Sequence, residues 1–253
     1  MEQKAKGHHP SHYTGQGIIE YALILALLAA VAVLALSAMG VSLQNVLSEV
    51  VSALGGLGVE QPPSCEVFYQ SQFDRGINEW YQLKKGLWSG KWHNIAGKMV
   101  GDPLAAALLK PVNQADYVVT AESIELKKIR DSYQGFALIF RAPALAGDLE
   151  GYMFEFEKKN AADAGLMYFS KWVHGYQVFP PLASAAVPAD FNWNNVQQMR
   201  ITVRGDVFTA FINGREVLRV RDATYTQGYV GMAVNYGSRA AVGNFSVTSI
   251  GCP

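Results

Sequence analysis

The sequence predicts an α plus all-β chain: one long hydrophobic N-terminal α-helix followed by an antiparallel β-sandwich of the jelly-roll kind. Three observations carry this. Between Glu20 and Glu49 there is neither a charged residue nor a proline, and from Tyr21 to Met39 almost every side chain is apolar. From Glu66 onward the apolar period is two, in many short runs bounded by turn residues. One boundary, Asn213-Gly214, is the dipeptide of a type I′ hairpin turn.

The polar head, MEQKAKGHHPSHYT, sets Lys4 and Lys6 against Glu2, which favours the cytoplasmic side of a membrane. His8, His9 and His12 have no cysteine or acid beside them, so they read as solvated residues rather than a metal tract. The apolar run is rich in Ala and Leu, both strong helix formers. At about 1.5 Å per residue, roughly 20 apolar residues cross a bilayer core, and this segment continues beyond that. A helix apolar on every face has no place in water; it belongs in lipid or in the dry centre of an assembly. Small residues recur at Ala22, Ala26, Ala30 and Gly40, a spacing that lets helices approach closely. After Gly40 the pattern becomes amphipathic, with Leu43, Val46, Leu47 and Val50 against Gln44, Asn45 and Glu49. Gly55-Gly56 ends the helix, and Gln61-Pro62-Pro63-Ser64 makes a stiff hinge. The divisions are therefore a head at 1–15, a helix at 16–55, a linker at 56–64 and a β domain at 65–253.

A glycine, four residues, a glutamate-tyrosine pair and an uncharged helix follow in register at Gly15, Glu20, Tyr21 and Ala22 onward. This stretch resembles the processing site and N-terminal helix of Flp-type pilins, the type IVb class assembled by tight-adherence (Tad) systems. The resemblance implies cleavage by a prepilin peptidase between Gly15 and Gln16. It also implies an assembly role for Glu20 and Tyr21, in which Glu20 meets the N-terminal amine of a neighbouring subunit. A buried carboxylate is tolerable when paired and strongly destabilising when alone. Implied partners are copies of the chain in a helical filament, the assembly machinery, and the inner membrane before assembly; the destination is an extracellular pilus or the cell surface. Flp pilins are usually little more than the helix, so the domain at 65–253 is a departure.

Charges balance, with 21 Lys and Arg against 21 Asp and Glu, and no clustered basic surface stands out, which argues against nucleic acid. Cys65 and Cys252 sit at the first and last positions of the β domain. Free thiols are one reading; a bridge closing the two ends of an exported domain is the expected one.

In the β domain, strands are expected at Tyr117–Leu126, Gln134–Arg141, Gly151–Glu157, Gly165–Trp172, Gln198–Val203, Val207–Ile212, Glu216–Val220, Gly228–Tyr236 and Gly243–Ile250. Lys85-Gly86-Leu87-Trp88, Gly135 to Arg141, Gly151 to Phe154, Met199 to Gly205, Phe211 to Val217 and Gly228 to Met232 follow in order. Together they resemble the concanavalin A-like, laminin-G-like β-sandwich superfamily. Such features support fold rather than activity.

Laminarinase-type hydrolases on this fold carry acids spaced two apart on one strand. Glu155 and Glu157 match that spacing, and glycoside hydrolysis needs paired carboxylates. The third acid is missing and Lys158-Lys159 follow, so the expectation is an exposed, salt-bridged face and no enzyme. His93 and His174 stand isolated, with no nucleophile or metal-ligand set around them. Trp172, His174, Tyr176 and Phe179 cluster before Pro180-Pro181; Trp172, Tyr176 and Phe179 are a candidate platform for sugar rings, against the plainer reading of core and loop aromatics. No cofactor is expected. Calcium, common in the superfamily, has no recognisable ligand loop, although Asp190, Asp206 and Asp222 are candidates. The expected function is thus a pilus subunit displaying a β-sandwich for adhesion or glycan binding. The alternatives are a signal-anchored carbohydrate-binding surface protein and a membrane-tethered glycosidase.

Overall fold

The computed structural model describes residues 65–252, together with the single position Leu27. The expected leader and linker, and all of the expected helix but Leu27, lie outside the described residues, as do Gly15, Gln16, Glu20 and Tyr21. The chain divides into two units, Met1–Gln61 and Pro62–Pro253, and the described strands all belong to the second.

Seventeen strands are described. The first six are β1 (Val67–Ser71), β2 (Trp80–Gln82), β3 (Trp92–Ile95), β4 (Lys98–Gly101), β5 (Ala106–Leu109) and β6 (Tyr117–Lys128). Then come β7 (Gln134–Ala142), β8 (Gly151–Lys158), β9 (Leu166–Val173), β10 (Tyr176–Gln177), β11 (Ala183–Ala186) and β12 (Asn195–Arg204). The last five are β13 (Val207–Ile212), β14 (Arg215–Arg221), β15 (Tyr229–Val234), β16 (Ser238–Val242) and β17 (Asn244–Thr248). They form two antiparallel sheets. One runs β14-β13-β12-β6-β16-β4-β3, with β17 also on β6 and β1 on β17. The other runs β10-β9-β8-β7-β15-β5-β2, with β11 also on β9.

The order of the strands follows from a few local features. β6 is long enough to hold β17 along Val118–Glu122 and β16 along Glu125–Lys128. Asn213 and Gly214 have φ of 50° and 79°, the two positive values that a type I′ turn demands, and they fold β14 back on β13. Pairing of β1 with β17 brings the ends of the domain together, where Cys65 and Cys252 form a disulfide with Cα atoms 4.5 Å apart.

Period two separates the faces of each strand. Phe136, Leu138 and Phe140 of β7, Phe154 and Phe156 of β8, and Met167 and Phe169 of β9 point toward the other sheet. There they meet Tyr117, Val119 and Ala121 of β6, Ile201 and Val203 of β12, and Phe208 of β13, all fully buried. Each fully buried Phe or Leu contributes about 1.5–3 kcal/mol. The opposite face of the second sheet is covered as well. Leu83, Trp88 and Leu149 lie over Ala137, Ile139, Met153 and Trp172, which is why β7 is buried at every position. Arg141, 2% exposed, is the penultimate residue of β7 and donates to the carbonyls of Ala115, Gly205 and Tyr225, tying this sheet to loops of the other.

Candidate functional site

The covered face of the second sheet is not filled along its whole length. A cleft of about 580 Å³ opens over β8 and β9, walled by Leu87, Trp88, Leu104, Tyr133 and Phe179. Alternation places Glu155 and Glu157 of β8 on its floor beside Tyr168, Ser170 and Trp172 of β9, with Asn235 following β15. Glu155 lies directly across from Tyr168, and Glu157 from Leu166.

These groups form one network. The Asn235 amide donates from Nδ2 to Glu157 Oε2 at 2.7 Å and to Glu155 Oε2 at 3.4 Å. Ser170 Oγ donates to Glu155 Oε1 at 3.2 Å, and in turn accepts from Trp172 Nε1 at 3.2 Å. Tyr168 Oη donates to Glu157 Oε1 at 3.4 Å. Gly135 makes room for the arrangement, since a Cβ there would stand 2.9 Å from Asn235 Nδ2 and 2.3 Å from the Phe156 carbonyl.

The expectation of an exposed, salt-bridged carboxylate pair is wrong. Glu155 is 4% exposed, Glu157 is half-buried, and no ion pair to either is found among the described residues. The reason lies in the same period of two. Lys158 has the opposite parity and turns away, with its Nζ 4.6 Å from the Trp193 ring centroid, while the segments carrying Trp88 and Phe179 cover the glutamates. Burial pushes the Glu155 carboxyl up to about 8, and the neighbouring Glu157 charge adds to the effect. Burial also raises Glu157 above the usual carboxylate range, against the opposing hydrogen bonds from Tyr168 and Asn235. The phenol of Tyr168 is raised by burial and by both carboxylates.

A second cavity of about 490 Å³ lies beside the first and shares Leu87, Trp172, Gln177 and Phe179 with it. Gly86, Asp148, His174, Gly175 and Tyr176 complete its lining. The amide nitrogen of Gln177 is buried and without a hydrogen-bond partner.

The three aromatics of the candidate platform divide between two environments. Trp172 is 5% exposed and packs against Trp88 with ring centroids 5.6 Å apart. Tyr176 and Phe179 are 78% and 74% exposed and stand at the rim. The strands explain the division, since Trp172 belongs to β9 while Tyr176 and Phe179 lie at and beyond the short return strand β10. The histidines are not isolated: His93 Nε2 meets Asp102 at 2.9 Å and His174 Nδ1 meets Glu150 at 2.7 Å. Of the calcium candidates, Asp206 pairs with Arg221 at 2.7 Å. Asp222 takes the Tyr152 hydroxyl at 2.5 Å and Lys171 at 3.2 Å, and hydrogen bonds hold its carboxyl down at about 2. Asp190 is exposed in the segment between β11 and β12.

Sequence reasoning missed Asn235, Tyr168, Ser170, Trp88 and Gln177. Only Tyr168 and Ser170 carried a signal, the parity they share with Trp172 on one strand.

No protein-family model and no curated protein matches the chain. Solved structures do. The carbohydrate-binding module CBM66 from Bacillus subtilis aligns at a TM-score of 0.53 and 20% identity, over 66% of this chain and 94% of that one. The CBM2 module of the evolved Dit of Lactobacillus casei BL23 phage J-1 aligns at 0.54 and 9% identity, over 75% and 97%. The endo-beta-1,3-glucanase from Pyrococcus furiosus aligns at 0.51 and 12% identity, over 72% and 94%. At these identities the likeness is one of fold, and the described domain is a concanavalin A-like, jelly-roll antiparallel β-sandwich.

Proposed function

We propose that the β-sandwich binds carbohydrate in the cleft over β8 and β9. One observation carries the reading: hydrogen-bonding groups with spare capacity stand inside an aromatic-walled trough. Gln177 Nε2 has no partner, and the carboxylates of Glu155 and Glu157 accept two hydrogen bonds each, of which only the one from Asn235 to Glu157 is short, at 2.7 Å. A sugar ring offers the complement, an apolar face for Phe179 and Tyr176 and hydroxyls for the floor. Carbohydrate-binding proteins with this fold give the reading further support. The test is a glycan array probed with the full chain in detergent, followed by the double variant Trp172→Ala/Phe179→Ala. Retained binding of particular glycans, lost in the variant, supports the reading; no glycan bound by the wild type overturns it.

A second reading has its own observation. A carboxyl held protonated near neutrality beside a second carboxylate suits the acid of a glycoside hydrolase. We favour binding, because the sequence lacks the third acid of the laminarinase pattern. Release of new reducing ends from a bound polysaccharide, abolished by Glu155→Gln, would favour hydrolysis instead.

For the chain as a whole, we propose display of this domain from an Flp-like pilus or the cell surface. That reading rests on the register of Gly15, Gln16, Glu20 and Tyr21, and the disulfide is consistent with export.

A further inference from the structure

We infer that the cleft selects glycans bearing free amino groups, cationic amino sugars, over neutral, N-acylated or acidic ones. This deepens the glycan-binding reading and rests on it. Two acids lie on the cleft floor, Glu155 buried and Glu157 half-buried, and among the described residues neither is ion-paired. A buried carboxylate without a counter-charge is held at a cost, which falls when it takes up a proton or meets a cation. The adjoining cavity adds Asp148, and its one basic side chain, His174, is already matched by Glu150.

The groups facing the pair on every side are few. From β9 come Tyr168 and Ser170, and from beyond β15 comes Asn235. From the turn after β8 come Lys159, which favours ionisation of Glu157, and Asp163, which opposes it. Lys159 and Asp163 act in opposite senses, so the protein supplies no net counter-charge to Glu157, or to Glu155 once its proton leaves. The walls also favour a cation, because the faces of Trp172, Tyr168, Tyr133 and Phe179 carry partial negative charge and attract an ammonium. A sulfated or uronic glycan would instead bring anions against this floor.

The arrangement also separates an ammonium from a metal ion. Asn235 turns its donor nitrogen toward the carboxylates, so it offers a metal no ligand there, and the two carboxylates are too few oxygens for calcium. An ammonium needs fewer acceptors, and each bond it makes to a carboxylate is charge-assisted. Because Glu155 holds its proton to about 8, entry of an ammonium should drive that proton off, and binding should release protons to the buffer.

The experiment is isothermal titration of the full chain in detergent at about pH 6, where an amine is charged and both amine and N-acyl ligands dissolve. The probes are an oligomer of glucosamine, the matching oligomer of N-acetylglucosamine, a neutral β-glucan oligomer, an oligouronate and calcium chloride. The glucosamine oligomer should bind at least about tenfold tighter than the others, or about 1.4 kcal/mol. The heat should vary between buffers of different ionisation enthalpy, as proton release requires. The advantage should collapse in Glu155→Gln and, independently, in the less buried Glu157→Gln, with circular dichroism confirming the fold of each. Equal or tighter binding of the N-acetylated, neutral or acidic oligomer overturns the inference and leaves the glycan reading standing. Calcium binding that depends on the two glutamates overturns it too, and no binding by any glycan overturns both.

Discussion

Glu155 and Glu157, two residues apart on β8, share a single donor, the side-chain nitrogen of Asn235. Two carboxylates that share one neutral amide and, among the described residues, form no ion pair are arranged for something other than stability. A carboxyl whose folded pKa exceeds its unfolded value binds protons more readily in the native state. Stability therefore falls as pH climbs from the ordinary value of 4.5 toward about 8. Glu155→Gln keeps the shape and removes the ionisation. It should stabilise the domain by a few kcal/mol at about pH 8, leave it almost unchanged near pH 4, and flatten the pH dependence between them. Thermal melts across that range check this. A variant less stable than wild type at every pH would show that the carboxylate is a structural group.

Gly135 lies behind the same network. A methyl group there would press on the Phe156 carbonyl, a backbone atom of the paired strand, and on Asn235 Nδ2. Gly135→Ala should cost about 1–3 kcal/mol as an overpacked site. It should also weaken glycan binding, because Asn235 can no longer face both carboxylates. Chemical denaturation and titration with the wild-type ligand measure the two effects. Full affinity with the expected loss of stability would remove Asn235 from the binding argument.

The Cys65–Cys252 disulfide closes 187 positions of chain at the root of the domain. Closing so long a loop restricts the unfolded ensemble, by about 3–5 kcal/mol on the chain-entropy account. The double variant Cys65→Ser/Cys252→Ser should lose stability of that order, with its glycan site intact. A melting temperature within a degree or two of wild type would mean that the pairing of β1 with β17 holds the ends together without it.

The N-terminal reading has its own check. Mass spectrometry of the mature chain should find Gln16 as the first residue, and Glu20→Ala should insert in membranes yet fail to assemble. An intact Met1 end would favour a simple membrane anchor, and normal filaments from that variant would remove the pairing argument for Glu20.

The nine strands read from the sequence are all five residues or longer; the segments of β6 and β8 alternate, while β7 is a continuous apolar run between turn residues. The strands it missed are short or lack alternation. Ala106-Ala107-Leu108-Leu109 of β5 is buried on both faces, and its composition is that of a helix. β10 has two residues, too few for any period to show. The site fared differently. That Glu155 and Glu157 share a face follows from their spacing, yet which face, and what covers it, depends on Trp88 and Phe179, remote in sequence from β8. The likeness to solved carbohydrate-binding modules is one of the sandwich fold alone.

The division of the aromatics yields the sharpest separation of binding from folding. Trp172 packs against Trp88 and donates to Ser170, so Trp172→Ala leaves a cavity and takes away the donor that holds the Ser170 hydroxyl against Glu155. It should cost about 3–5 kcal/mol of stability along with affinity. Phe179 and Tyr176, both largely exposed, bury little surface in the free protein. Phe179→Ala and Tyr176→Ala should therefore melt close to wild type while losing about 1–2 kcal/mol of ligand affinity each, the stacking of a ring on a sugar face. Comparing melting temperature with titration across the three variants sorts these roles. If Phe179→Ala binds as tightly as wild type, the rim takes no part in recognition, and the ligand must be held by Trp172 and the polar floor alone.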